Sequence, residues 1–274
     1  KKKVIVQIFT GGYKKSTTSF SKIKNVMNEL YKTSHIDAVI LGWCTDKNLY
    51  KNITEYLKTQ GTYAYLWLPV FSETGLLKEV APVVDSKKRQ IQHFALKETE
   101  NFEFYCPSHQ LNSKAVKQIY EENFQDINFD GIFLDKIRYP SFSNGKDSIF
   151  TCFCEKCEQK MIRTDIDIKA LKQKIKAIDD GVYGDNPLGI DDYNKLNYIL
   201  SDDTLEKFFL FKQNNINEAV EDLYNYFSSL GLKVGLDLLS PFVGYFSGQS
   251  AEDLVKYCDF IKPMFYRATF APAG

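Results

Sequence analysis

The sequence predicts an α/β chain built as a TIM-type (β/α) barrel, incomplete or truncated after its sixth strand. Three observations predict it. Short apolar runs alternate with amphipathic stretches of helical period, the order expected of parallel βαβ units. Those runs lack strict polar alternation, as in strands covered on both faces. The segment Asp130-Gly131-Ile132-Phe133-Leu134-Asp135-Lys136-Ile137-Arg138-Tyr139-Pro140 leads from a strand straight into a carboxylate, a guanidinium and an aromatic ring. In parallel barrels the reacting groups gather at the carboxyl ends of the strands.

The elements follow in order. Three lysines precede a first strand over Val4 to Phe9; the apolar stretch is too short for a leader and meets Gly11-Gly12. Phe20, Ile23, Val26, Met27 and Leu30 recur at helical spacing. Strand two covers residues 36–43, and the next helix carries Leu49, Ile53 and Leu57 and stops at Gly61. Strand three, 63–68, sets Tyr65 and Trp67 on one face. Residues 71–105 read as an excursion at the top of the barrel, with a hairpin joining 90–96 to 102–105. Val116, Ile119, Tyr120 and Phe124 mark the helix that delivers the chain to strand four. Within that strand Phe133 and Asp135 share one face and Ile132 and Leu134 the other, which aims Asp135 into the barrel mouth.

Beyond Pro140 an insertion over residues 141–203 is too long for an ordinary βα connection and predicts a functional loop or small subdomain. A helix over 204–230 ends at Gly231, and strand five, 233–238, turns Gly235 and Asp237 the same way. Ser250 and Asp253 form a capping-box pattern before strand six, 260–266, where Lys262, Met264 and Tyr266 share a face. Six strands against the eight of a closed barrel predict a single barrel-type domain over 1–274, read as a fragment of a longer protein.

Composition narrows the function. The 274 residues are 44% hydrophobic and 15% aromatic, with 17 Tyr and 21 Phe, enough for a large core and an aromatic-lined cleft suited to sugars. Lys plus Arg and Asp plus Glu both number 35, so no phosphate-neutralising surface for nucleic acid is expected. No stretch reaches membrane-span length, and secreted and cytoplasmic locations both stay open. Gly-rich phosphate loops, nucleophile elbows and His-Glu-x-x-His helices are absent from the sequence, and three His offer few ways to build a histidine site.

Two carboxylates remain as the chemistry. Glycoside hydrolysis needs one to protonate the leaving oxygen and a second to act as nucleophile or to activate water. Asp135 and Asp237 end or nearly end two successive strands on the predicted inner face. The plainer alternatives are an ion pair of Asp135 with Arg138 and a buried bond of Asp237 to Lys262. Asp46 and Glu73 are reserves. Arg138 can keep Asp135 ionised or grip a substrate oxygen. Tyr139, Tyr65, Trp67 and Trp43 are candidate sugar platforms, with Trp67 best placed, and Tyr266 is a candidate donor.

Cys152, Cys154 and Cys157 lie within six residues and can wrap a tetrahedral zinc given a fourth ligand from Cys106, His109 or Glu155, Cys106 first. Such a zinc is structural, with no open position, so no cofactor is expected for catalysis. Free thiols or a disulfide are the alternatives. Cys44 and Cys258 read as buried hydrophobes.

The segment 130–140, the run Cys152-Phe153-Cys154-Glu155-Lys156-Cys157, and the stretch from Gly235-Leu236-Asp237-Leu238 through Ser240-Pro241 and Gly248-Gln249 to residues 259–266 together resemble a glycoside-hydrolase-like barrel family, distantly amylase-like. The match covers mainly the second half of the chain. The resemblance implies a barrel fold and hydrolysis of an oligo- or polysaccharide, with Asp135 as nucleophile or base and Asp237 as acid. The rival expectation is a noncatalytic carbohydrate-binding or structural barrel module of a larger protein.

Overall fold

Six strands form one parallel sheet in chain order: β1 (Ile5–Phe9), β2 (Ala38–Gly42), β3 (Tyr63–Pro69), β4 (Gly131–Asp135), β5 (Lys233–Leu238) and β6 (Phe260–Pro263). The sheet curls into a half-barrel. This computed structural model describes residues 3–72, 79–91, 95–97, 100–101 and 103–266. All six predicted strands are present and parallel, and Asp135 stands at a carboxyl end. β2 is shorter than expected, and β6 ends at Pro263 instead of residue 266, because proline has no N–H to continue a ladder.

The two faces of the sheet follow the two-residue period. Val39, Leu41, Leu66, Leu68, Ile132, Leu134, Val234 and Leu236 point outward into the main core. There they meet α1 (Phe20–Thr33), α2 (Lys47–Thr59), α3 (Gln110–Asn123) and α6 (Asp203–Ser229), whose apolar stripes supply Met27, Ile53, Ile119, Phe208 and Leu223. Ala38, Ile40, Tyr65 and Phe133 line the inner face, joined by half-buried Trp67 and Phe260. Gly235 belongs to that face for a steric reason: a methyl there would overlap the Phe260 ring.

The insertion before α6 has structure of its own: α4 (Glu155–Arg163), α5 (Ile168–Asp179) and an antiparallel hairpin of Ile190–Asn194 with Asn197–Leu200. Leu171 and Ile175 of α5 and Met161 of α4 enter the main core, which explains how so polar a stretch stays ordered. In the excursion before α3 the antiparallel pair is Ala95–Lys97 with Glu100–Asn101, shorter than the expected hairpin. Much of that predicted pairing, and Glu73, lie outside the described residues. No helix of the described residues is long and apolar enough to cross a membrane.

Candidate active site and cysteine centre

The register of the sheet brings the two aspartates together. Leu134 pairs with Leu236, so the next residue of each strand sets Asp135 beside Asp237 on the inner face. Neighbouring strands stand about 4.8 Å apart. On the outer side of β5, Lys262 of β6 pairs with Asp237, and Asp135 pairs across β4 with Pro69. One layer of the half-barrel therefore reads Pro69, Asp135, Asp237, Lys262.

The carboxylates have different surroundings. Asp135 Oδ2 accepts from Trp67 Nε1 at 2.8 Å and Oδ1 from the Lys136 backbone N at 2.5 Å, so both carboxyl oxygens face donors. Lys136 adopts φ +53° directly after the strand, a left-handed turn that folds its N–H back onto Asp135. Asp237 is 1% exposed. Burial pushes its carboxyl up and the charge of Asp135 adds to that; Lys262 and Arg138 pull it back only in part, leaving it at about 8. The Lys262 ammonium lies 3.1 Å from Asp237 Oδ1 and also donates to Tyr266 Oη at 2.5 Å. Burial pulls Lys262 down, but Asp237 and Tyr266 outweigh it and raise its ammonium above the ordinary value.

Arg138 is buried behind this pair, against Phe104 of the excursion before α3. Burial draws its guanidinium down to about 10, with Asp135 and Asp237 holding the proton on. Its Cζ sits 4.7 Å from the Phe104 ring centre, and Nη1 donates to the Tyr139 carbonyl at 3.2 Å. The ion pair foreseen for Asp237 with Lys262 is present, and Arg138 is electrostatically close to both aspartates.

Three of the four expected sugar platforms are packing residues. Trp43 is 1% exposed and meets Trp67 edge-on at 4.6 Å and Phe9 at 5.1 Å. Tyr65 is buried against Phe260, and Tyr139 is fully buried, with its hydroxyl accepting from Asn215 Nδ2 at 3.2 Å. Their ring faces are taken by protein, so none is open to a ligand. Trp67 is only half-buried, and with Lys262 and the 40% exposed Tyr266 it rims the carboxylates. Asp46 is not near this chemistry by role: it caps α2, accepting from Leu49 N at 3.0 Å. A second cleft, lined by Lys114, Lys117, Lys160, Glu218 and Asp222, opens between α3 and α6, where its cations Lys117 and Lys160 are already paired with Asp222 and Glu218.

The four predicted cysteines converge. The Sγ atoms of Cys106, Cys152, Cys154 and Cys157 all lie within 4.8 Å of one another, with Cys106 to Cys157 at 3.4 Å and Cys106 to Cys154 at 3.6 Å. A tetrahedron with metal–sulfur bonds of about 2.3 Å has sulfur–sulfur edges of about 3.8 Å, which this cluster brackets. All four are free cysteines. Backbone N–H groups of Val84 and Cys154 each point at Cys152 Sγ from 3.4 Å, donors of the kind that support a bound thiolate. Hydrogen bonds from Cys106, Cys152 and Cys157 draw the Cys154 thiol far down, while the same crowding pushes Cys106 up. His109, an alternative ligand, instead caps α3 through Leu111 N. Cys258 is only half-buried, unlike the expectation for it, whereas Cys44 is buried.

Residues given no role in the sequence reading complete the setting. Phe104 backs Arg138. Lys212, fully buried in α6, donates to the carbonyls of Ile149 at 2.6 Å and Phe246 at 2.5 Å beneath the Tyr139 ring. Gln249 donates to the Ile137 carbonyl at 3.3 Å and accepts from Leu239 N at 2.9 Å, bridging the loops after β4 and β5. A signal for Lys212 was available, since it falls on the same helical face as Phe208 and Phe209.

No protein-family model and no curated protein sequence matches the chain. Solved structures do. An alpha-N-acetylgalactosaminidase from Bifidobacterium bifidum aligns over 94% of this chain and 37% of its own, at 8% identity and TM-score 0.49. A cycloisomaltooligosaccharide glucanotransferase from Paenibacillus sp. aligns over 97% of this chain and 34% of its own, at 11% identity and TM-score 0.49. An alpha-L-fucosidase from Paenibacillus thiaminolyticus aligns over 84% and 32%, at 15% identity and TM-score 0.45. The chain thus spans about a third of the length of these structures.

Proposed function

We propose that the chain forms the catalytic part of a glycoside hydrolase acting on an oligo- or polysaccharide. The observation that carries this reading is the adjacency of Asp135 and Asp237 at the carboxyl ends of neighbouring strands, with a proton held on one and donors aimed at the other. Asp237, protonated at neutral pH, gives its proton to the glycosidic oxygen as the C–O bond breaks. Asp135 attacks the anomeric carbon, or takes a proton from the water that does. Trp67 offers the half-open ring for a sugar face, and Lys262 and Tyr266 supply donors at the rim. Zinc in the four-cysteine centre is the structural metal of this reading; with four protein ligands it has no open position for substrate.

The ion pair of Asp237 with Lys262 favours the rival, a sugar-binding barrel without hydrolysis. Asp135→Asn separates the two. It keeps shape and removes the charge, so hydrolysis of a responsive glycan falls by about a thousand-fold or more while binding survives. Wild-type cleavage by that variant ends the catalytic assignment; binding without cleavage by the unsubstituted protein across a glycan panel establishes the rival.

A further inference from the structure

We infer that the cysteine centre positions Arg138 beside Asp135 and Asp237, so that its metal governs the carboxylate pair without touching it. The inference rests on the metal reading above and goes beyond it. Two routes run from the sulfurs to the guanidinium. The first passes through Cys106. Two residues before it stands Phe104, the ring on which Arg138 lies, and the backbone there is pinned by Val83 N to the Phe104 carbonyl at 3.0 Å and Cys106 N to the Ala81 carbonyl at 2.8 Å. The second passes through Tyr139. Its hydroxyl accepts from Asn215 Nδ2 at 3.2 Å, and Asn215 Oδ1 accepts at 2.9 Å from Lys160 of α4, the helix that carries Cys157. Its carbonyl is the acceptor for Arg138 Nη1.

That carbonyl provides the one hydrogen bond of the guanidinium among the described residues, and Arg138 Nε is buried without a partner. A guanidinium normally fixes its aim by several bonds in a planar fork. Here its aim depends on packing between Phe104 and Tyr139. Both supports hang from metal ligands or their neighbours, so releasing the metal frees Arg138 to turn away. The groups facing Asp237 are then Asp135 of β4, Lys262 of β6 and Tyr266, with one cation fewer against the same negative charge.

The test uses the indole of Trp67, which donates to Asp135 and reports ionisation of the pair. The chain has two Trp, so two indole N–H signals are followed by NMR from about pH 5 to pH 10, and Trp43→Phe assigns them. Three full-length proteins are compared: metal-loaded, chelator-stripped, and metal-loaded Phe104→Ala. Stripping moves the midpoint upward by about one pH unit or more, and Phe104→Ala moves it the same way with metal content unchanged. A folded stripped protein and a Phe104→Ala protein that both keep the wild-type midpoint overturn the inference. Should stripping unfold the chain, a folded Cys154→Ser protein, with one ligand removed, takes the place of the stripped one, and an unchanged midpoint in it and in Phe104→Ala overturns the inference. Protein purified without chelator that holds no metal overturns the metal reading and this inference together. A midpoint that shifts as expected in a protein that cleaves no glycan leaves the inference standing and removes only the hydrolase reading.

Discussion

The carboxylate pair and the cysteine centre pose the same electrostatic problem and solve it differently. Each crowds acidic groups into a buried place where unpaired charge is costly. At the barrel mouth the protein supplies its own cations, Arg138 and Lys262, and leaves one proton on Asp237. Around the sulfurs the protein cation is Lys212, whose ammonium burial pulls far down while Cys152 and Cys157 pull it back up. One charge cannot balance four thiolates; a divalent metal bonded to all four offsets two more. On the reading proposed above, the difference is that the mouth exchanges a proton and the centre keeps its ligands fixed.

The strongest way to break this comparison is to remove the metal proposed for the cysteine centre. Because ligand binding to the folded state is folding free energy, stripping the centre or replacing Cys152 and Cys157 by Ser should cost about 5 kcal/mol or more, read by thermal unfolding with and without added zinc. An unchanged melting temperature would make the sulfurs a thiol cluster with no metal role.

Stability against pH sharpens the other side. Asp237 holds its proton to about 8 when folded, against about 3.9 in an unfolded chain, so the folded state binds that proton more tightly. Its contribution is full below about pH 4 and is lost as pH rises through about 8. Denaturant unfolding should therefore show lower stability at about pH 9 than at about pH 6, and Asp237→Asn should flatten that part of the curve. A slope that survives the substitution belongs to another group.

Two substitutions of single cations come last. Lys212→Met should weaken zinc retention about ten-fold in competition with a chelator, as loss of an outer-shell partner does. Lys262→Met removes the ammonium beside Asp237 and should move the alkaline limb of activity upward by about one unit. If Lys262→Met alters only the affinity for glycan, the lysine serves the substrate and not the proton.

Much of this was legible in the sequence for local reasons. Apolar runs without alternation marked all six strands, and the two-residue period put Asp135 and Asp237 on one face before any register was known. Three cysteines within six residues announced the centre, and Cys106 was the fourth by its place before α3. What failed depended on distant parts of the chain. Whether Trp43 and Tyr139 are platforms or core is decided by what covers them, and Phe9, Trp67 and Asn215 do so from other elements. Phe104 could not be matched to Arg138 across an excursion that carries no periodicity. Lys212 went unmarked because a lysine on a helix is usually solvated, although its neighbours on the helix face are Phe208 and Phe209.

The stitching between the loops after β4 and β5 bears on how such a scaffold can be re-engineered. Barrels usually diversify by exchanging one βα loop at a time over an indifferent frame. Here Tyr139 N bonds the Ser247 carbonyl at 2.9 Å, Ser247 Oγ donates to the Pro140 carbonyl at 3.3 Å, and Gln249 and Lys212 add further cross-links. Transplanting either loop alone would strand buried donors in its neighbour. The two loops form one graft unit, and a library that varies them jointly, with Ser247, Gln249 and Lys212 held constant, should yield folded variants far more often than one that varies either by itself.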